Sequence, residues 1–186
     1  MYHLFLYTFA WISSLYRLIH STFILVARRL LIGPATVASM IQPTAFYAYL
    51  SHHEIGINNQ HTLIFDTVVT NMNSAYSKFT GVFTVPEGGI YGFTYTVRMG
   101  CHTSTAIGHF EIVKNDVVVG VVFIDDHGCT NQVTVTGTVI IHANPGDKVY
   151  IRTRPDYSSI DGNVYSDISG RTSFAGWLIT GSEYKW

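Results

Sequence analysis

Charged side chains are scarce in this chain. Asp, Glu, Lys and Arg make up 12% of its 186 residues and leave a net charge of −1, which is about half the usual charged share. A disordered tail, a coiled coil or a basic nucleic-acid-binding surface needs more charge than this, so the sequence excludes all three. Sixteen glycines without a Gly-X-Y repeat also exclude a collagen stalk within the chain.

Motifs of catalysis and metal binding are also missing. The chain has no Gly-x-Ser-x-Gly, His-Glu-x-x-His, His-x-His or Cys-x-x-Cys spacing, and these spacings mark common nucleophiles and zinc sites. Nine histidines are present, but neighbours such as His52 and His53 point to opposite sides of an extended strand. We therefore expect no enzyme activity, no catalytic residues, no bound metal and no other cofactor. Asp125 and Asp126 keep calcium open as an alternative, because carboxylates on a loop suit this ion.

Residues 1–42 differ in composition from the rest of the chain. They hold three arginines and no acidic residue, whereas residues 43–186 carry an excess of acid. The uncharged run Met1–Tyr16 is shorter than the ~20 residues of a membrane span, and Thr36-Val37-Ala38 is a small-x-small cleavage triplet. We predict an apolar, secretory leader over 1–42 and a globular domain over 43–186. The leader is atypical, so a signal anchor or a mis-annotated start stays open, and the protein would contact a membrane only if the leader were retained.

The body of the chain is predicted to be β-structure throughout. Tyr91, Phe93 and Tyr95 alternate with small or polar residues, which is the period-two pattern of a strand with one buried face. Asn115-Asp116 between two apolar runs predicts a two-residue hairpin turn. The predicted strands are 62–69, 79–85, 91–99, 107–114, 117–124, 132–142, 149–154 and 172–180. Short strands at this spacing indicate an all-β sandwich or jelly roll.

The two cysteines are expected to form a disulfide bond. If the strands alternate in direction, Cys101 and Cys129 each follow a strand that ends on the same side of the domain, so a bridge is geometrically feasible. An even number of cysteines in a secreted chain favours pairing. The alternative is two free buried thiols, which a cytosolic location would favour.

A set of aromatic and polar residues resembles the signature of a known family. Their spacing reproduces the pattern of the globular domain of complement component C1q. The matching residues are Phe65, Asn71, Tyr76, Phe83, Gly89, Tyr91, Phe93 and Tyr95. Segments 45–48 and 174–179 resemble the opening and closing strands of that domain. The resemblance therefore covers about residues 43–181.

This resemblance implies a ten-stranded antiparallel jelly roll, shared with tumour-necrosis-factor ligands, and a compact trimer. The trimer is either a homotrimer or a heterotrimer with related chains. In the family, the opening and closing strands lie near the trimer axis. On that basis the expected trimer-interface residues are Phe46, Tyr47, Tyr49, Phe174 and Trp177. Because residues of a strand alternate, two or three of these are expected to fill the sandwich instead.

The resemblance also implies a function. A C1q-like domain without a collagen stalk resembles the stalkless molluscan C1q-domain proteins, several of which act as lectins or pattern-recognition proteins. We therefore expect a secreted, extracellular recognition protein of innate immunity that binds glycans or microbial surfaces. The alternative is a cytokine-like ligand that engages a receptor through the grooves between subunits. Calcium is left out of the expected site, because Thr130 stands where some calcium-binding members have Asp.

The ligand site is expected in residues 155–171, the longest stretch of the domain without a strand pattern. Its tyrosines offer flat faces that can stack on a sugar ring. Its aspartates and asparagine can form hydrogen bonds with the hydroxyl groups of the sugar. The arginines on either side of it can pair with the carboxylate of an acidic sugar such as sialic acid. The candidate ligand-binding residues are Arg154, Asp156, Tyr157, Asp161, Asn163, Tyr165 and Arg171. The alternative is a solvated connection that binds nothing.

Overall fold

The structure is a computed structural model that describes residues 43–101, 104–128, 130–155 and 160–181. The predicted leader over 1–42 and the candidate residues Asp156, Tyr157 and Cys129 lie outside these ranges. Among the described residues, no helix is long and apolar enough to cross a membrane.

Two antiparallel sheets make up the described domain. Sheet I contains β1 (Ala45–Tyr49), β2 (Thr67–Asn71), β5 (Gly89–Gly100), β8 (Val133–Ala143), β10 (Asn163–Val164) and β11 (Ser173–Gly181). Sheet II contains β3 (Tyr76–Ser77), β4 (Val82–Thr84), β6 (Thr105–Lys114), β7 (Val117–His127) and β9 (Lys148–Thr153).

Strands that are distant in sequence lie next to each other in both sheets. In sheet I, β11 pairs with β1 and β5, β1 pairs with β2, and β8 and the short β10 pair with β5. In sheet II the order is β3-β4-β9-β6-β7. The predicted antiparallel jelly roll is confirmed, with two strands of only two residues among those described.

The alternating pattern places the core between the sheets. Tyr91, Phe93 and Tyr95 are almost fully buried, while Thr94 and Thr96 lie on the outer side of the same strand, as the period of two requires. Burial raises the pKa of Tyr95 to about 12, and a further increase in the same direction comes from nearby Glu111.

The family-signature residues hold one another in place near β3. The Asn71 side chain bonds the backbone of Tyr76 twice, accepting from its N–H at 3.0 Å and donating to its carbonyl at 2.8 Å. The Tyr76 hydroxyl bonds both backbone groups of Phe65 at 3.1 Å. These contacts satisfy polar groups inside the core, where an unpaired group would be costly.

The predicted hairpin turn at Asn115-Asp116 is confirmed. Asn115 has φ 48° and Asp116 has φ 66°, the left-handed pair that a two-residue type I′ turn requires. The Asn115 side chain accepts a hydrogen bond from the Lys148 N–H at 2.9 Å and donates one to Asp147 at 2.8 Å. The turn between β6 and β7 is therefore tied to the start of β9.

The strand predicted over 62–69 was partly wrong. Thr62 forms only an isolated bridge with Arg152, and Leu63 and Phe65 are buried outside any strand. The strand itself begins at Thr67. Buried apolar residues outside a strand are of the same types as those within one, so the sequence pattern alone does not distinguish a buried connection from a strand.

Candidate functional site

The crossover segment, residues 155–171, is less loop-like than predicted. In its described part, the Asp161 N–H and carbonyl exchange hydrogen bonds with Ile107 at 3.0 and 2.7 Å. Two residues later, Asn163 and Val164 form β10 and pair with Gly100 and Met99. The segment therefore passes from sheet II to sheet I while bonded to each, and the expectation of a segment without strand structure was wrong here.

Asp161 and Tyr165 use part of their binding capacity within the domain. The Asp161 carboxylate accepts a hydrogen bond from the Thr105 hydroxyl. The Tyr165 ring packs against Gly100, where an added Cβ would lie 2.8 Å from its Cε2 atom, and against the His53 ring at 4.7 Å. Both side chains are half-buried, so each keeps some surface that a ligand could reach.

The two candidate arginines lie beside strands of different sheets. Arg154 follows β9 in sheet II, where its N–H donates to the His109 carbonyl at 3.2 Å. Arg171 precedes β11 in sheet I, and its guanidinium carbon lies 4.4 Å from the centre of the Tyr49 ring, a distance typical of a cation–π contact. The two arginines flank the crossover segment in sequence, but they adjoin neither the same strand nor the same sheet.

Sequence reasoning missed the ion pair that closes the end of the crossover segment. Arg98 Nη1 lies 2.8 Å from an Asp167 carboxylate oxygen and also donates to the Gly170 carbonyl at 3.2 Å. The hydrogen bond from Arg98 is the main reason that the pKa of Asp167 is lowered. The two partners are 69 residues apart, so no local motif could have revealed them.

A loop rich in histidine borders this region and was also missed. A concavity of about 360 Å3 is lined by residues of the loop between β1 and β2, including His52, His53, Glu54 and His61. His61 Nε2 lies 2.8 Å from the Glu54 carboxylate, and His53 Nδ1 accepts the Ser166 N–H at 3.0 Å. Within the described ranges, no three His, Cys, Asp or Glu side chains come together as a metal-binding group.

The possible calcium residues Asp125 and Asp126 occupy consecutive positions on β7, opposite Ile107 and Ala106. Asp125 is exposed and lies 2.9 Å from His127. Consecutive residues of a strand point to opposite faces, so the two carboxylates do not point toward the same ion.

His109 forms the centre of a cluster on the outer face of sheet II. Its ring stacks on Phe123 with 4.0 Å between ring centres. The pKa of His109 is lowered, first by partial burial and then by the positive charge of Arg154, while Glu111 and Asp125 act in the opposite direction. His109 is therefore expected to be neutral at neutral pH.

Replacing Arg154 by alanine is expected to raise the pKa of His109, because a neighbouring positive charge is removed. In the wild type the pKa lies below the ordinary value of 6.5, so the unfolded chain binds the proton first. Stability then falls as the pH drops through 6.5, and Arg154→Ala weakens that dependence.

Histidine NMR titration measures the pKa directly. Arg171→Ala serves as the control, and an unchanged His109 titration in Arg154→Ala contradicts the assignment.

The outer face of sheet I contains three of the five predicted interface residues. Trp177 is 41% and Tyr47 is 37% exposed, and Tyr49 is partly exposed. Phe46 and Phe174 are instead buried between the sheets, because adjacent residues on a strand alternate in direction. Phe46 and Phe174 are thus two of the five candidates that fill the core of their own domain, and they are removed from the expected interface.

The centre of this outer face is free of charge. Segments 45–49, 92–96, 134–142 and 173–179 contain no Asp, Glu, Lys or Arg. The Trp177 ring lies over Gly92, where an added Cβ would be 2.9 Å from two ring carbons. Next to it, Ile140 is 68% exposed. Large exposed apolar side chains without charges around them are typical of an interaction surface.

These two packed sheets and their pairing define an antiparallel jelly-roll domain. A sequence model of the C1q domain matches residues 45–179. The match spans most of the chain, and the protein therefore belongs to the C1q domain family.

Individual relatives agree with this placement. The chain is 25% identical over 123 residues to a complement C1q subcomponent polypeptide of Bos taurus, covering 66% of this chain and 48% of that protein. It is 22% identical over 136 residues to multimerin-1 of Homo sapiens, covering 71% of this chain and 10% of that protein. The chain thus spans about half the length of the first relative and about a tenth of the second.

Solved structures show the same fold. The globular domain of zebrafish complement 1qA protein superposes with a TM-score of 0.53 at 16% identity, covering 75% of this chain and 99% of that one. The structure of Eiger TNF from S. frugiperda superposes with a TM-score of 0.54 at 8% identity, covering 78% and 98%. At these identities the likeness concerns the fold alone.

Proposed function

We propose that this protein is a secreted, non-enzymatic recognition protein that assembles as a trimer and binds glycans on cell or microbial surfaces. The C1q domain over residues 45–179 carries the proposal. The jelly roll is a scaffold on which binding functions reside in surface side chains, and both sheets present such side chains here. The proposed activity involves no cofactor.

The outer face of sheet I supports the proposed assembly. Its uncharged centre exposes Tyr47, Ile140, Trp177 and Ile179. Threonines of the paired strands β5 and β8 lie on this face, and the Thr96 and Thr136 hydroxyls hydrogen-bond each other at 2.9 Å. A flat face of apolar and small polar groups loses little solvation when it is covered, so a cyclic trimer would bury it at low cost.

Replacing Trp177 by glutamate is expected to convert the trimer to monomers, because each protomer would bring an unpaired charge into the interface. Light scattering of the purified protein at micromolar concentration measures the mass, which we expect to be three times that of one chain for the wild type. Phe123→Glu is the matched control, since Phe123 is an exposed aromatic residue of sheet II. A monomer mass for the wild type would refute the assembly.

A glycan array with the purified trimer tests the recognition function, in parallel with a screen for cell-surface receptors. The proposal expects binding to defined glycans, unchanged by EDTA because no calcium is required. Arg154→Ala and the double variant Tyr157→Ala/Tyr165→Ala then test whether the crossover segment contributes. Receptor binding without any glycan binding would support the cytokine-like alternative and overturn the lectin-like function.

A further inference from the structure

A polar pocket of about 280 Å3 opens on the outer face of sheet II, and its lining includes none of the ligand-binding residues nominated from the sequence. Its lining comes from the loop before β2, from β4, from the β6–β7 turn and from β9. The lining residues are Gln60, Thr62, Val82, Asp116, Tyr150 and Arg152. Four chain segments that are far apart in sequence thus converge on one concavity.

The walls of this pocket are held in position by contacts within the domain. The Tyr150 hydroxyl donates to the Asp116 carboxylate at 2.7 Å. Asp116 belongs to the type I′ turn, which is tied to β9 by the Asn115 N–H donating to the Lys148 carbonyl at 3.0 Å. Partial burial and the neighbouring Asp116 raise the pKa of Tyr150, so its hydroxyl keeps the proton that it donates. A preformed site loses little freedom when a ligand binds.

Local backbone strain coincides with the pocket. Gln60 and Asp116 both have left-handed backbone conformations, with φ of 59° and 66°. At Asp116 the type I′ turn requires this conformation, whereas at Gln60 it is unfavourable for a residue other than glycine, and such residues cluster at binding sites. Here they present one amide and one carboxylate to the same concavity.

The charges around the pocket select against an acidic ligand. Arg152 is its cationic side chain, and its Nε donates to the buried Glu111 carboxylate at 3.1 Å. Asp116 adds a second negative charge at the rim. The lining thus holds one acidic and one basic side chain, and the basic one is already paired with Glu111, so an anion such as sialic acid gains little attraction there.

The remaining groups match a neutral sugar. Gln60 both donates and accepts hydrogen bonds, the Thr62 hydroxyl does the same, and Asp116 accepts, which together suit a ring of hydroxyl groups. Tyr150 and Val82 supply apolar surface for the C–H face of a pyranose. A volume of about 280 Å3 lies at the small end of ligand pockets, as a single sugar residue would require.

We propose that this pocket is a subsite for a neutral hexopyranose residue of a glycan. The inference rests on the proposed glycan-binding function but locates the contact at Tyr150 and Asp116, not in the crossover segment. Tyr150 provides the stacking surface, and the Asp116 carboxylate accepts hydrogen bonds from the sugar hydroxyls.

The test titrates the purified protein with glucose, galactose, mannose, N-acetylglucosamine and N-acetylneuraminic acid, monitored by amide NMR. We expect at least one neutral sugar to shift the resonances of residues 60–62, 115–117 and 150–152, and the acidic sugar to leave them unchanged. Tyr150→Phe keeps the ring but removes the hydroxyl that holds the Asp116 carboxylate in place, and Asp116→Asn keeps the turn but removes the charged acceptor. Each variant is expected to weaken binding by about tenfold, a change of about 1.4 kcal/mol. Asp125→Asn, on β7 of the same sheet, is the matched control and is expected to bind like the wild type.

Three results would overturn the pocket assignment. They are no shift of these resonances up to saturating sugar, wild-type binding by both pocket variants, or a preference for N-acetylneuraminic acid. The glycan array separates this failure from failure of the function. Array binding that survives in Tyr150→Phe and Asp116→Asn leaves glycan recognition intact at another site, whereas a wild type that binds no glycan refutes the function itself.

Discussion

Replacing Phe174 by alanine is expected to lower the free energy of unfolding by about 3–5 kcal/mol, the range for a fully buried phenylalanine. Phe174 lies on β11 with no exposed surface. Its ring contacts Phe46 edge-on at 4.8 Å and lies 5.7 Å from Phe65 and 6.1 Å from Phe93. Removing the ring leaves a cavity where β1, β5 and β11 meet, and the surrounding rings cannot close it without leaving their own positions.

Urea unfolding monitored by fluorescence measures this loss. Phe79→Ala is the matched control, because Phe79 is 80% exposed and its truncation should change stability by less than about 0.5 kcal/mol. If Phe174→Ala does not fold, Phe174→Leu gives a smaller graded loss. A cost for Phe174→Ala as small as that of the control would show that the core is not organised around this ring.

Replacing both Cys101 and Cys129 by serine is expected to lower the free energy of unfolding by roughly 3–4 kcal/mol, the chain-entropy value for a closed loop of about 28 residues. The disulfide remains a prediction, because Cys129 lies outside the described residues. The neighbouring chain supports it. Gly128 donates to the Ser104 carbonyl at 2.7 Å, and Met99 pairs with Val133, so the segments that flank the two cysteines meet at one end of the domain.

Thermal or urea unfolding with and without dithiothreitol measures the contribution of the bond. The wild type should lose stability on reduction by about as much as the double serine variant loses, and the variant itself should be insensitive to the reductant. Two reactive thiols in denatured, non-reduced secreted protein would contradict the pairing.

Much of the fold could be predicted because strand periodicity is a local property. The alternation of Tyr91, Phe93 and Tyr95 marks β5 without reference to any other strand, and all three rings lie in the core. The left-handed preference of Asn and Asp likewise marks the turn at Asn115 and Asp116. Each of these signals depends on neighbours within a few residues, so the sequence displays it directly.

The candidate site was less predictable because its contacts are long-range. A long polar stretch indicated a free loop over 155–171, but Asp161 pairs with Ile107 and Asn163 pairs with Gly100. Both partners are more than 50 residues away in the chain. Whether a polar segment stays solvated depends on the edge groups that the sheets leave unpaired, which a single segment does not reveal.

The sequence by itself determined the all-β class and the positions of the long strands, because apolar alternation and turn residues act over short distances, and its signature spacing carried the resemblance that implied the jelly roll. Only the tertiary structure decided which aromatic residues of β1 and β11 face the core. It also placed Arg154 and Arg171 beside strands of separate sheets and joined Gln60, Asp116 and Tyr150 around one pocket. The reason is that strand order and register bring together residues with no local relation, and a shift of one residue would turn every side chain of a strand to its other face.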